Sequence, residues 1–546
     1  MKLLDLLRKE AGIGGPRFIG FAALSGLSNA AILAIINLAA SNASDKGENF
    51  HNLILFGLAI AVFVVTQRAL MIEVCEKVEL LIDRIRVRLI ERARRAEFLE
   101  LEEIGRSEIY ACLTRETQIL SQAAPNVVIG LQSAILVVFT LLYMAFLSQT
   151  AFWLSVGFTV VGAMIHLSRS AEVKRELRAA FECENALIES LGDMLDGFKE
   201  VKMSTGRSAD IAHRIAEISA RVGRMRIRTQ TLYATDFVMS QVTFFIMTGI
   251  MVFVVPTISD AYIEVVVMTT TASLFLIGPV SNVVGSLPIF SNANAAAENV
   301  MALEERLGRV NGEVRDAGGG FPDFRRIALQ GASFSHRPSG GDKGFAVGPV
   351  DFTVERGKTI FLTGGNGSGK TTFIRLLVGL YPPGGGVIRV DGAPVGPANA
   401  ADYRNLFSVI FSDNHLFTEL YGIPSIDADQ AAELFALLEM QHKSQIAGRR
   451  FTTVRLSGGQ RKRLALIAAL LEKRPVCVFD EWAADQDPYF REKFYRIILP
   501  RLKEKGVTVI AITHDDAYFD MADVHIHMDN GHLTVVKDES VLEGTT

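Results

Sequence analysis

Six apolar runs of roughly 20 residues crowd the first 290 positions, each long enough to cross a hydrocarbon core as a helix. They lie near Arg17–Ala40, Asn52–Glu73, Asn126–Ser148, Ala151–Ser168, Phe237–Pro256 and Ile263–Ile289. The first run is longer than the apolar core of a secretory signal, and five more follow, so it is expected to stay as a spanning anchor. The 546 residues are 49% hydrophobic with a mean hydropathy of +0.26. That excess sits in the first half. Beyond position ~320 the texture is that of a soluble α/β domain.

Basic residues set the orientation. Glu76 to Pro125 carries nine Lys or Arg and Arg169 to Leu232 carries twelve, whereas the short connections Ser41–His51, Gln149–Thr150 and Pro256–Tyr262 hold only Lys46. The positive-inside rule puts both termini and both long loops in the cytoplasm. Those loops read as charged helices with apolar residues at helical spacing (Leu80, Leu81, Ile85, Leu89, Ile90), extending the membrane helices outward. Turn-like interruptions at Glu102–Ser107 and Ser204–Ser208 would delimit short helices that dock on the second domain. A net charge of −4 gives no reason to expect nucleic acid as a partner. Cys75, Cys112, Cys183 and Cys477 show no ligand spacing and are expected as free thiols.

The second half opens after a polar stretch, Val310–Phe321, punctuated by Gly318-Gly319-Gly320. The expected division is a membrane domain over 1–310 and a nucleotide-binding domain over 321–546. Val350–Val354 alternates like a half-buried strand and Thr359–Thr363 reads as a buried one. The latter runs into Gly364, Gly365, Asn366, Gly367, Ser368, Gly369, Lys370 and Thr371, with a helix following from Thr372. Strand, glycine loop and helix form the setting in which backbone N–H groups surround a β-phosphate. Lys370 would reach the β- and γ-phosphates of ATP, and the Thr371 hydroxyl would ligate Mg²⁺. Pro475–Phe479 is an all-apolar run, as in a strand buried on both faces, and ends at Asp480-Glu481. Asp480 would hold Mg²⁺ and Glu481 would polarise the attacking water. A further strand, Val507–Thr513, delivers His514 to the γ-phosphate.

Together with Leu456-Ser457-Gly458-Gly459-Gln460 and Asp487, these motifs in this order resemble an ABC transporter nucleotide-binding domain. Six spans ahead of one such domain resemble an exporter-type half-transporter over the whole chain. The fold class implied is an all-α six-helix transmembrane domain with long cytoplasmic helical extensions, fused to an α/β P-loop ABC domain. The resemblance adds Thr372, His336, Ser412, Ser457, Gly458, Gly459, Gln460 and Asp487 to the nucleotide-binding set. It implies that Ser457 and Gly459 of one subunit complete the site of a second, identical subunit. The strings at Phe407–Phe417, Phe479–Pro488 and Thr513–Asp523 resemble the cyclic-peptide and siderophore-peptide exporter branch, which moves small peptides out across the bacterial inner membrane.

Three departures from the broad pattern stand out. Ser412 aligns with the usual glutamine, with Asp413 beside it; His336 aligns with the base-stacking aromatic; and Arg449–Arg455 replaces a short glycine-containing motif. Polar residues within the spans include Asn29, Asn37, Arg68, Gln132, His166, Asp236, Gln241 and Asn282. Arg68 is the best candidate for lining a cavity, since intramembrane charges face a bundle interior or water. Gly278-Pro279 is expected to kink the sixth span. The expected activity is ATP-driven peptide export by a homodimer in the bilayer. A lipid or lipopeptide flippase, an ATP-gated channel or sensor, and a heterodimer are the alternatives. No peptidase-like extension precedes the first span, so leader cleavage is not expected here.

Overall fold

The computed structural model describes residues 2–13, 15–41, 46–258, 260–308, 321, 323–336 and 344–538. The expected boundary at Val310–Phe321 lies outside the described residues apart from Phe321, as does the side chain of His166. The chain divides into two compact units, Met1–Ile90 with Ser107–Glu305, and Glu91–Arg106 with Arg306–Thr546.

The first unit is helical. An amphipathic α1 (Lys2–Lys9) precedes α2 (Pro16–Ser41) and α3 (Lys46–Arg95), whose last five residues belong to the second unit, as does α4 (Phe98–Ile104). Then come α5 (Arg106–Ala111), α6 (Thr117–Leu147), α7 (Gln149–Asp196), α8 (Phe198–Lys202), α9 (Thr205–Gly249), α10 (Val255–Ile258) and α11 (Val266–Gly308). Among the described residues five stretches, within α2, α3, α5–α6, α9–α10 and α11, are long and apolar enough to cross a membrane. The remaining expected span appears as a shorter apolar stretch, Gln149–Ile165, heading the continuous helix α7. As expected, α3, α7 and α9 each carry an apolar section and a charged extension as one helix.

The interruptions differ from the sequence expectation. In the first loop the chain breaks at Ala96-Glu97 and again at Gly105, whose φ of +79° ends α4. In the second it breaks at Gly197 and at Met203-Ser204, and Ser204 then caps α9 through the Arg207 N–H. The expected breaks ran two and four residues too far along the chain, because Arg106-Ser107 and Thr205–Ser208 take helical positions, and the first also began three residues too early, inside α4. Gly278-Pro279 does not end α11, which runs unbroken through it.

Small residues let these helices approach: a Cβ on Gly26 would lie 2.6 Å from Ile135 Cγ2, and one on Gly130 2.4 Å from Ser286 Oγ. Several internal polar groups are paired. Asn37 donates to Tyr143 Oη (3.3 Å) and to the Met268 carbonyl (3.1 Å), and Thr248 and Ser273 share a 2.6 Å bond. Ser25 donates to Gln67 Oε1 at 3.1 Å. Below them α7 and α9 are joined by Arg169–Asp236 (2.9 Å), Arg228–Glu176 (3.2 Å) and Arg226–Glu184 (2.6 Å). Outward-facing side chains such as Phe146, Phe253 and Val267 are apolar and exposed, a surface suited to hydrocarbon.

The second unit contains β1 (Arg326–Ser335), β2 (Ala346–Glu355), β3 (Thr359–Gly364), β4 (Gly385–Val390), β5 (Ala393–Pro394) and β6 (Phe407–Ile410). They are followed by β7 (Ile446–Ala447), β8 (Arg450–Phe451), β9 (Val476–Asp480), β10 (Thr508–Ile512), β11 (Val524–Asp529) and β12 (His532–Asp538). Strands β2-β1-β4-β5 form an antiparallel sheet. A six-stranded sheet runs β12-β11-β3-β10-β9-β6, parallel except for β12. Its central strands are buried on both faces because successive side chains enter opposite cores. Ile360, Leu362, Val476, Val478, Ile510 and Ile512 join one core; Phe361, Cys477, Phe479, Val509 and Ala511 join the other. The helices here are α12 (Lys370–Leu377), α13 (Ala400–Arg404), α14 (Ala428–Leu437), α15 (Gly458–Leu471), α16 (Pro488–Lys493) and α17 (Leu499–Glu504). The Arg449–Arg455 segment supplies β8, which pairs with β7, and buries Phe451.

Candidate nucleotide site

The strand order explains how distant motifs converge. β3, β10 and β9 are parallel neighbours, so their C-terminal ends, leading to the glycine loop, to His514 and to Asp480-Glu481, open on one edge of the sheet.

The glycine loop needs its glycines. Gly364 has φ +148° and a Cβ there would lie 2.2 Å from the Met528 carbonyl oxygen; Gly367 and Gly369 have φ of +76° and +106°. Lys370 is buried, and its Nζ donates to the carbonyls of Gly364 and Gly365 at 2.9 Å each, leaving a third proton for a phosphate oxygen. Ser368 Oγ is buried without a hydrogen-bond partner among the described residues. A loop with no room for a Cβ at Gly364, a buried unmatched hydroxyl and a lysine at a helix N-terminus fit a triphosphate.

Beside the loop, Thr371 Oγ1 and Ser412 Oγ both donate to Asp480 Oδ2 at 3.4 Å. Burial pushes the Asp480 carboxyl above the ordinary carboxylate range, although the Ser412 N–H and the two hydroxyls pull it back. Two hydroxyls around a buried carboxylate are an all-oxygen donor set, which fits Mg²⁺. Ser412, the residue in place of the usual glutamine, therefore stands beside Asp480.

Glu481 follows Asp480 with φ +52°, a left-handed conformation unusual for a residue with a side chain. Its Oε1 lies 3.4 Å from His514 Nε2, and both side chains are open to solvent. The strained turn is held by Lys462, buried, whose Nζ donates to the Glu481 carbonyl (2.9 Å) and pairs with Asp485 (2.8 Å). Trp482, also buried, donates its indole N–H to the Lys462 carbonyl at 2.8 Å. Sequence reasoning missed Lys462. The signal available was a lysine just after Gln460, but its partner is known only from the fold.

The Ser457–Gln460 turn starts α15 elsewhere. Ser457 and Gly458 are exposed, Gln460 Oε1 accepts from the Ser457 N–H (3.3 Å), and a Cβ on Gly459 would lie 2.7 Å from the Asp485 carbonyl oxygen. Among the described residues no hydrogen bond joins this turn to the glycine loop, Asp480, Glu481 or His514. Asp487 caps α16 through the Phe490 N–H (2.9 Å) and pairs with Arg463; the first of these chiefly holds its carboxyl below the usual range.

His336 stands edge-on to the stacked pair Phe334–Tyr381, with interplanar angles of 90° and 89°. Its N–H donates to the carbonyl of Phe345, whose exposed ring would touch a Cβ on Gly369 at 3.1 Å. Phe345 is a second aromatic at the loop that sequence reasoning overlooked. Tyr381 also anchors α4: its hydroxyl donates to Glu102 Oε2 (2.8 Å) and accepts from Arg375 (2.7 Å), while Arg375 lies 5.4 Å from the centre of the Phe98 ring. The first expected docking helix thus seats on this unit.

Residues 347–484 match the ABC transporter family model. Over 94% of the chain and 93% of the relative, the sequence is 29% identical to "ATP-binding protein SyrD" of Pseudomonas syringae pv. syringae. It is 26% identical to an "ATP-dependent lipid A-core flippase" of Alkalilimnicola ehrlichii over 76% of the chain and 72% of the relative. With the "Energy-coupling factor transporter ATP-binding protein EcfA1" of Geobacillus kaustophilus it shares 32% identity over 38% of the chain and 76% of that relative. A solved bacterial Atm1-family ABC exporter with ATP bound has the same fold, with TM-score 0.78 at 14% identity and 97% of each chain covered. With that fold, and with the phosphate cradle, the acidic strand end and the Ser457–Gln460 turn in one polypeptide, the chain belongs to the ABC transporter family, as an ATPase coupled to membrane transport.

Proposed function

We propose that this chain exports a small cyclic, modified or siderophore-type peptide across the bacterial inner membrane as a homodimer. In this reading residues 1–310 form the membrane domain and 321–546 the nucleotide-binding domain, with both termini and that domain in the cytoplasm. The cargo class rests on one observation, the likeness of Phe407–Phe417, Phe479–Pro488 and Thr513–Asp523 to the peptide-exporter branch.

Gly364, Gly365, Asn366, Gly367, Ser368, Gly369 and Thr372 surround the phosphates of ATP with backbone and hydroxyl donors, and Lys370 adds its free proton. Thr371, Ser412 and Asp480 would hold Mg²⁺, which would supply positive charge to offset that of the phosphates. Glu481 orients and polarises the attacking water, and His514, 3.4 Å away, fixes that carboxylate and reaches the γ-phosphate. His336 and Phe345 border the base. Ser457 and Gly458 are exposed and, with Gly459 and Gln460, make no hydrogen bond to their own glycine loop among the described residues, so in this reading they serve the site of the second subunit, with Asp487 and Arg463 steadying the neighbouring turn. Closure of that composite site moves α4 through Tyr381, Arg375 and Glu102.

Inside-out vesicles, with the ATP sites facing the bath, test direction and cargo. Vesicles from a strain that makes such a peptide should accumulate it on adding Mg-ATP, and Glu481→Gln vesicles should not. The flippase reading is favoured by the "lipid A-core flippase" relatives. ATPase stimulated by phospholipid and indifferent to peptide would select it.

A further inference from the structure

We propose that Arg68 is an anion-recognition residue of the substrate pathway, and that the cargo presents it with a carboxylate or phosphate group. The inference rests on the transport reading and its orientation, and deepens them.

Between Phe50 and Ile72 Arg68 is the one residue among Asp, Glu, Lys and Arg, in a stretch otherwise apolar enough to span the bilayer. The face of α3 that packs inward carries Thr66, Leu70, Val74 and Val78, all nearly inaccessible. At 3.6 residues per turn, Arg68 lies about 200° from both Thr66 and Leu70, on the opposite face. Its companions there, Leu58, Val65 and Ile72, are apolar and more than half exposed. Arg68 is itself exposed, and it has no hydrogen bond or ion pair among the described residues.

A guanidinium facing hydrocarbon is costly, so it calls for a counter-charge. The apolar stretches 16–41, 50–72, 117–147, 149–168, 229–258 and 266–297 contain a single carboxylate, Asp236. That group is buried and already paired with Arg169 at 2.9 Å. A second copy of the chain repeats the same inventory and brings no spare acid. The nearest acid along the helix, Glu73, is held by Lys77 at 2.6 Å. Within the apolar stretches neither copy offers Arg68 a free carboxylate, and in this reading the counter-charge comes from a molecule other than the transporter. Two sources share the required chemistry, an anionic cargo and a lipid headgroup. Helical side chains lean toward the helix N-terminus. With the N-terminus of α3 at the outer side, that lean carries the guanidinium away from the cytoplasmic headgroups, which favours the cargo.

The test uses the full-length protein in phosphatidylcholine nanodiscs, with and without phosphatidylglycerol. The probes are an N-myristoyl tetrapeptide with a free C-terminal carboxylate and the same peptide as its amide. The readout is ATPase stimulation relative to each protein's own basal rate. Wild type should respond to the carboxylate at a concentration about tenfold or more below that needed for the amide, as expected for a charge-assisted hydrogen bond. In Arg68→Gln that ratio should fall to about one. Arg68→Lys, which keeps the charge but not the planar fork, should retain part of it and serves if the Gln protein does not assemble. Equal response of wild type to both probes, or a preference that survives in Arg68→Gln, would overturn the proposal. So would an effect of Arg68→Gln confined to the phosphatidylglycerol dependence, which would make Arg68 a headgroup anchor. If neither peptide stimulates wild type but phosphatidic acid does, and Arg68→Gln abolishes that response, the peptide reading fails while the anion role stands.

Discussion

Replacing Lys462 by Met should slow hydrolysis without weakening ATP binding. The lysine reaches from α15 to the Glu481 carbonyl (2.9 Å) and to Asp485 (2.8 Å). Glu481 sits at φ +52°, a conformation costing of order 1–3 kcal/mol that persists only where its surroundings impose it. Losing a hydrogen bond from a charged donor removes ~1.5–3 kcal/mol of that imposition. The Asp485 contact adds little, because its carboxylate is more than half exposed and solvent screens it. If turnover follows the population holding Glu481 in place, kcat should fall about 10- to 100-fold. The KM for ATP should change less than about threefold, since Lys462 touches none of the phosphate-cradle residues. Methionine keeps an apolar stem of similar length, and Trp482 still donates to the backbone carbonyl at 462, so the core should hold. A coupled ATPase assay on purified protein, with a thermal melt as control, reads both quantities. A kcat within twofold of wild type on a folded protein would refute the idea that Lys462 maintains the catalytic turn.

Asp480→Asn should abolish turnover yet raise the melting temperature of the nucleotide-free protein at neutral pH. The folded carboxyl titrates above its unfolded value, so the folded state binds the extra proton and stability falls as pH rises through that window; a melt lowered at pH 7 and unchanged at pH 4 would contradict this. Ser457→Arg should inactivate the dimer while nucleotide still binds through Lys370, and mixing it with a Lys370→Ala subunit should restore at most one site per dimer; full activity from a strictly monomeric preparation would exclude the composite site. Tyr381→Phe deletes the hydroxyl that joins Arg375 to Glu102 and keeps the ring stacked on Phe334. It should lower peptide accumulation per ATP hydrolysed in vesicles, and an unchanged ratio would show that this hydroxyl does not couple α4 to the site.

The nucleotide site was legible in the sequence because its signals are local. Glycines at fixed spacing after an apolar strand can only make a tight loop, and Asp480-Glu481 ends a strand whose neighbours have no room for charge. The continuous helices α3, α7 and α9 were legible for the same reason, since period 3.6 persists from the apolar section into the charged one. The ends of α4 and α8 were not, because these helices are short and neither has a side-chain N-cap to announce it. Gly105 was the usable mark. Lys462 and Phe345 escaped because their meaning depends on residues that the chain brings near only when folded. Ser412 was recognised as a departure, but its place beside Asp480 needed the register of β6 against β9.

The central claim is that Glu481 activates water in a site whose cradle binds ATP independently of it. Steady-state phosphate release by purified Glu481→Gln, with nucleotide affinity measured on the same preparation, tests it most directly. The substitution keeps shape and removes the charge, so turnover should fall by ~10²–10⁴-fold, as for loss of a general base, while ATP binding stays at the wild-type level. Retention of more than about a tenth of wild-type turnover would contradict the assignment, because loss of a general base typically costs ~10²–10⁴-fold.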